Sequence, residues 1–162
     1  MSQRPRVRPV APTDFEQWET LWEGYNTFYR RTVPPEITRT TWARFFDGNE
    51  PVHALVAEQD GQLWGLVHYL FHRSTSLIDP ICYLEDLFTL EEVRGQGVGR
   101  ALIDAVYERA RNAGCLQVYW QTHETNATAM ALYDRVAERS GFLVYARNLE
   151  PIRAQPTGAG TQ

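Results

Sequence analysis

Residues 81–111 read ICYLEDLFTLEEVRGQGVGRALIDAVYERAR. Ile81 to Leu90 is an apolar, strand-prone run that carries two adjacent acids, Glu85 and Asp86. Arg94-Gly95-Gln96-Gly97-Val98-Gly99 follows, and then an amphipathic pattern with Ala101, Leu102, Ala105, Val106 and Ala110 on one side. This order predicts a strand, a glycine-rich loop and a helix. At such a junction the first N–H groups of the helix lack intrahelical acceptors, and the helix dipole adds partial positive charge, so the place suits a phosphate group. The glycines let the backbone come close to an anion, and Arg94 and Arg100 add charge. The dinucleotide fingerprint GxGxxG is not completed after Gly97 and Gly99, and no GK[ST] follows that would mark a nucleoside triphosphate loop.

The pattern continues on both sides. Downstream, Asn112-Ala113-Gly114 stops the helix and Leu116 to Gln121 predicts a strand, so the strand-helix-strand unit points to parallel pairing. Thr125 or Asn126 can cap a further helix packed through Ala129, Met130, Leu132, Tyr133, Val136 and Ala137. Ser140-Gly141 ends it, and Phe142 to Ala146 predicts a last strand. Upstream, Val52–Ala57 and Leu63–Phe71 flank the turn signal Asp60-Gly61 and predict an antiparallel hairpin. Val7 to Val10 suits a short edge strand. Thr13 or Asp14 can cap a first helix that reaches about Arg30 with Trp18, Leu21, Trp22, Tyr25, Phe28 and Tyr29 on one stripe. Glu36 to Phe46 predicts a second helix, closed at Asp47-Gly48 by a left-handed glycine.

With 162 residues, 43% hydrophobic and 12% aromatic, the chain can close one ordinary core without disulfides or metal. Residues 1–6 read as a flexible N-terminal end, 7–148 as one domain and 149–162 as a flexible C-terminal tail. Cys82 and Cys115 each lie in an apolar run and read as buried free thiols, which fits a cytoplasmic setting. No run is long and apolar enough for a membrane span, and the start MSQRPRVRPV lacks the apolar segment of a signal peptide. A net charge of −4 argues against general nucleic-acid binding. His53, His68 and His72 lack the paired spacing of a metal site and read as hydrogen-bonded or surface histidines.

The series Arg94-x-x-Gly97-x-Gly99 after an apolar strand resembles the acetyl-CoA pyrophosphate loop of the GNAT family of N-acetyltransferases. Val118 to Tyr133, VYWQTHETNATAMALY, looks like that family's next strand and helix. Trp18-x-x-Leu21-Trp22-x-x-Tyr25-x-x-Phe28-Tyr29 is similar to the first helix of its polyamine and histone acetyltransferase-like subgroup. The resemblance covers residues 6 to 148. It implies an α/β (α+β) GNAT fold: a central mixed, mostly antiparallel sheet, splayed between its fourth and fifth strands, with about four flanking helices. It also implies a homodimer paired through the C-terminal strands, with acetyl-CoA as cosubstrate and no metal.

Acetyl transfer from a thioester to an amine needs a held donor, a neutral amine and relief of charge on the carbonyl oxygen and departing sulfur. By resemblance, Leu87, Phe88 and Thr89 bind the pantetheine arm and acetyl carbonyl, largely through their backbone. Arg94, Gly95, Gln96, Gly97, Val98, Gly99 and Arg100 hold the pyrophosphate, and Asn126 contacts CoA. Tyr133, seven residues after Asn126 on the same helix face, takes the general-acid position. Glu85 takes the role of base or amine-binding group, and Asp86 a structural one. Consecutive strand residues point to opposite faces, so only one of the two acids faces the amine unless a bulge re-aims them. His123 or Glu124 is a second candidate base. Trp22, Tyr25 and Tyr29, with Glu85 and His123, are the candidate substrate-binding residues, because so many polar-tipped aromatics exceed what a core takes.

For each of these residues a packing role competes with the functional one. The pair of acids can be hydrogen-bonded strand-end carboxylates, Tyr133 can pack in the core, and Asn126 can merely cap. The reading that follows is an N-acetyltransferase moving the acetyl group of acetyl-CoA to a primary amine of a small molecule, polyamine-like or amino acid. A protein or histone lysine acetyltransferase and a non-catalytic acyl-CoA-binding module are the alternatives, and a dinucleotide-dependent enzyme ranks last.

Overall fold

The computed structural model describes residues 4–150; the outer parts of the two expected flexible ends, 1–3 and 151–162, lie outside the described residues. The elements run β1 (Arg6–Pro9), α1 (Phe15–Phe28), α2 (Pro35–Arg44), β2 (Val52–Gln59), β3 (Gln62–His72), β4 (Ile81–Thr89), α3 (Val98–Asn112), β5 (Val118–Tyr119) and α4 (Ala127–Val136). Single 3-10 turns at Pro12–Asp14 and Glu91–Val93 precede α1 and α3. The strands form one sheet in sequence order, antiparallel from β1 to β4, with β5 parallel to β4. No helix among the described residues is long and apolar enough to cross a membrane.

Local chemistry explains most of these boundaries. Asp60 and Gly61 both take left-handed φ values, 50° and 78°, which matches the right-handed twist of the two strands they join. Arg8 on β1 holds both oxygens of Asp14, at 2.6 and 3.0 Å, and Glu58 on β2 at 2.5 Å, which ties the short edge strand to the turn ahead of α1. Asp14 therefore does not cap α1 with its side chain as the sequence suggested; its carboxylate is taken by Arg8 and by the N–H of Ala11 at 2.7 Å.

Two apolar layers sandwich the sheet. On one face α1 buries Trp18, Leu21, Trp22 and Tyr25 against Val56, Leu63 and Leu66, and α2 adds Trp42 and Phe45 around Trp18. The approach is close: a Cβ at Gly24 would stand 2.8 Å from the Phe88 ring. On the other face α3 packs Leu102, Ile103, Val106 and Ala110 on Leu55, Val67 and Leu84. Tyr107 then ties α4 to α3 by donating to the carbonyl of Val136 at 2.9 Å.

Four further expectations are corrected. Gly48 is not left-handed; α2 ends in right-handed geometry at Phe45, and Asp47 turns the chain by accepting the N–H of Asn49 at 2.9 Å. Strand β5 is shorter than 116–121, because only Val118 and Tyr119 pair, with Cys82 and Tyr83, before a bulge bends β4. Helix α4 stops at Val136, short of Ser140. The strand expected at Phe142–Ala146 is absent, and Phe142, Leu143, Val144 and Tyr145 stand exposed. Strand-prone residues form a strand only where a neighbour takes up their backbone groups, and none lies beside these four within the described residues.

Candidate active site

The bulge in β4 builds the site. Register against β3 runs from Phe88 opposite Leu66 to Asp86 opposite His68, and resumes with Leu84 opposite Tyr69, leaving Glu85 as the extra residue. Leu84 and Leu87, three apart, both pack on the α3 side, so Glu85 and Asp86 between them are turned toward α1. A regular strand would have sent the two acids to opposite faces. Among the described residues no strand pairs with β4 on its β5 side beyond Tyr83, so alternate backbone N–H and C=O groups through Thr89 are open there.

Asp86 is the buried acid and the centre of a polar chain. Its Oδ2 lies 2.9 Å from His68 Nδ1, and the Trp18 indole N–H donates to His68 Nε2 at 3.0 Å. An imidazole nitrogen that accepts from an indole carries no proton, so His68 is the neutral tautomer and its Nδ1–H donates to Asp86. Burial alone would raise the Asp86 pKa, but the hydrogen bonds from His68 and Tyr25 and the charge of Arg31 hold it below the usual carboxylate range. Glu85 is the opposite case. Its side chain reaches the surface beside Asp86, and partial desolvation with the Asp86 charge pushes its carboxyl up, opposed by Arg31. A carboxylate with a raised pKa accepts protons more readily than one held low, so the exposed and the buried acid of the bulge differ in proton affinity.

The glycine loop meets α3 with its donors free. Gly95 and Gly97 take φ values of 80° and 82°, which a side chain rarely adopts, and Gly97 stands in the cap position. The N–H groups of Gly97, Val98, Gly99 and Arg100 find no acceptor among the described residues; the first helical bond is Ala101 N–H to Gly97 at 3.0 Å. Arg94 and Arg100 are exposed beside them.

Tyr133 stands on α4 against Trp120, ring centroids 5.4 Å apart, among the partly buried residues on the α3 side of the core. Burial, with a smaller effect of Tyr29, pushes its hydroxyl up to about 12. Asn126 opens α4 without capping it: its Nδ2 donates to Thr122 at 3.4 Å. His123 is engaged locally, since its Nδ1 contacts Thr125 Oγ1 at 2.7 Å and lies 3.2 Å from the Thr125 N–H. Trp22 and Tyr25 belong to the α1 core layer, whereas Tyr29 is open to solvent. Cys82 is fully buried with its thiol pushed up to about 12 by burial and by Cys115, so it is no nucleophile.

Residues 18–137 match the model of the acetyltransferase (GNAT) family. The chain belongs to that family. It is a GNAT N-acetyltransferase, and its relatives carry related names. The D-amino-acid N-acetyltransferase HPA3 of Saccharomyces cerevisiae is 38% identical over 144 residues, 88% of this chain and 89% of that one. The thialysine N-epsilon-acetyltransferase of Mus musculus is 31% identical over 123 residues, 67% and 71% of the two chains. Among solved structures, AAC(6')-Iy in complex with the bisubstrate analog CoA-S-monomethyl-acetylneamine superposes with a TM-score of 0.78 at 19% identity. That match covers 91% of this chain and 99% of the other, and it shows the GNAT fold, with the mixed sheet and four helices expected from the sequence.

Two features of this GNAT site were not legible in the sequence. His68 and Asp86 are 18 residues apart and no spacing rule joins them; the one signal was two consecutive acids in a strand, one of which had to be buried and partnered. Arg31 was one of several arginines near the end of α1, with nothing in the sequence to single it out.

Proposed function

We propose that this chain transfers the acetyl group of acetyl-CoA to a primary amine of a small molecule by direct attack within a ternary complex. The observation that carries the reading is the bulge at Glu85, which sets a raised-pKa carboxylate beside the open backbone edge of β4. The loop residues fit a pyrophosphate: free N–H groups from Gly97 to Arg100, two left-handed glycines and two exposed arginines all favour an anion. Bound acetyl-CoA would supply an activated acetyl carbonyl as its thioester. Arg94 to Arg100 would hold the pyrophosphate, and the open groups of Leu87, Phe88 and Thr89, with Asn126, the pantetheine arm.

Glu85 takes the proton of the incoming ammonium, directly or through a water. The neutral amine then adds to the acetyl carbon, and as the C–S bond breaks the proton that the nitrogen sheds passes, directly or through water, to the departing sulfur, which the Tyr133 hydroxyl meets. With a pKa of about 12 against a thiol near ~8.5, complete proton transfer from Tyr133 is uphill. Its contribution is a hydrogen bond that strengthens as charge builds on sulfur. The names of the yeast and mouse relatives, a D-amino-acid and a thialysine acetyltransferase, favour a small acceptor over a protein lysine. A cytoplasmic setting suits the two free thiols, Cys82 and Cys115.

The test is release of CoA thiol from acetyl-CoA with a panel of small primary amines. Amine-dependent release is expected; tight binding of acetyl-CoA with no release for any amine would leave a CoA-binding module instead. Gly97→Val is expected to weaken acetyl-CoA binding roughly tenfold, since a β-branched residue cannot hold φ 82° without strain. Unchanged affinity by calorimetry, in a variant that still melts cooperatively, would remove the loop from the site.

The exposed run Phe142–Tyr145 has strand-prone residues and no partner strand among the described residues, which supports an intermolecular partner. We infer a homodimer in which this run is covered by a second copy. Light scattering on the full chain is expected to give twice the monomer mass, and a stop after Gly141 to give the monomer. A monomeric full chain, or a truncated dimer, would contradict this.

A further inference from the structure

Arg31 is held in the site by a backbone turn that its sequence does not favour. Helix α1 closes with the N–H of Arg31 on the carbonyl of Asn26 at 3.0 Å and that of Arg30 on Thr27 at 3.0 Å. A closure of this kind puts the intervening residue in the left-handed region and is usually made with glycine, yet Arg30 occupies it at φ 53°. Strain of this sort persists where surrounding contacts fix it, and it gathers at ligand sites. Its result is to fold Arg31 back along α1. The guanidinium carbon lies 5.1 Å from the Tyr25 ring centroid, 5.8 Å from Trp22 and 6.0 Å from Tyr29. Nε donates to Asn26 Oδ1 at 2.6 Å, and Asn26, itself buried, is fixed by its Nδ2 on the carbonyl of Trp22 at 2.9 Å.

The group so placed has donors to spare. Among the described residues, only the Nε–H of the five guanidinium N–H bonds is used and Arg31 makes no salt bridge. The Trp22 indole N–H, on one of the rings that Arg31 covers, is a buried donor with no acceptor among the described residues. The Trp22 ring under Arg31 packs 5.3 Å from the His68 ring, and His68 holds Asp86 at 2.9 Å, so a cation with a free fork of donors stands on the aromatic layer that backs the two acids of the bulge. The surplus of donors calls for an acceptor-only group, and a carboxylate matches the planar fork. A polycation would meet repulsion at the same place.

We propose that Arg31 anchors the carboxylate of the acceptor, so that the acceptor is an amino acid, its carboxylate on Arg31 and its amine at Glu85, in preference to a polyamine or an aminoglycoside. The proposal rests on the acetyltransferase reading above and adds the acceptor class to it.

The experiment compares paired substrates on the full chain in the thiol-release assay: D- and L-phenylalanine, their decarboxylated counterpart phenethylamine, and spermidine. The wild-type chain is expected to favour at least one phenylalanine isomer over phenethylamine by about tenfold or more in kcat/KM. Arg31→Gln should raise the KM for that amino acid on the order of 30-fold with kcat within about threefold, and the loss should exceed the loss for phenethylamine at least about tenfold. Arg31→Lys, which keeps the charge and loses the fork, should fall between. Equal use of phenylalanine and phenethylamine by the wild-type chain, or equal losses for both in Arg31→Gln, would overturn the role of Arg31 while leaving acetyl transfer intact. Binding of acetyl-CoA with no thiol released by any amine would bring down the acetyltransferase reading, and this proposal with it.

Discussion

Tyr133→Phe is expected to lower kcat by a factor on the order of 10², with acetyl-CoA still bound at near wild-type affinity. The phenol is a polar group on α4 whose ring packs on Trp120, and burial keeps it protonated far above neutral pH. Removing one oxygen leaves the ring on Trp120, so packing is retained and only the hydrogen bond to the leaving sulfur is lost. The effect belongs at the low end of acid catalysis, because a group with a pKa of about 12 stabilises a thiolate without fully protonating it. A loss seen equally in kcat and kcat/KM would mark an interaction made in the transition state. An unchanged kcat would remove Tyr133 from that role and leave it a core residue beside Leu132 and Val136.

Asp86→Ala is expected to cost about 3 kcal/mol of stability at neutral pH, measured by urea unfolding. The substitution strands the Nδ1–H of His68 in the interior between α1 and β4. Because the folded Asp86 has a pKa below its unfolded value, the carboxylate's contribution is fully present above about pH 4 and is lost as pH falls through the lower folded value. The gap between wild type and variant should therefore be constant near neutrality and narrow in acid. A gap below about 1 kcal/mol, or one that widens in acid, would mean that the Trp18–His68–Asp86 chain does not support the bulge. The same variant separates the two acids in function, since Glu85 is the proposed proton acceptor and Asp86 the group that fixes it.

The fold was legible where the sequence obeys local rules. The hairpin at Asp60-Gly61, the strand at Ile81 and the loop from Arg94 into α3 follow from turn chemistry, apolar alternation and helix entry. It was less legible where partners decide. Val118 to Gln121 has strand-forming residues throughout, yet pairs only at Val118 and Tyr119, because the extent of a strand depends on whether its neighbour stays alongside. Phe142 to Ala146 is the extreme case, a strand-prone run with no strand beside it among the described residues. In the site, the glycine loop announces itself by spacing, whereas the facing of Glu85 and Asp86 depends on a one-residue bulge that composition does not reveal. The contacts of Arg31 arise from a turn in which an arginine stands where glycine is usual, so the sequence alone argued against the geometry that the chain adopts.

Direct transfer is the claim at the centre of this account, and the buried thiols sharpen it. Cys82 has no exposed surface and a thiol pushed up to about 12, so the chain shows no activated cysteine to carry the acetyl group between two half-reactions. Initial rates of thiol release, measured while acetyl-CoA and a turned-over amine are varied together, test this most directly. Double-reciprocal plots are expected to intersect, as for a ternary complex. Parallel lines, with acetyl groups accumulating on the protein in the absence of amine, would contradict the account.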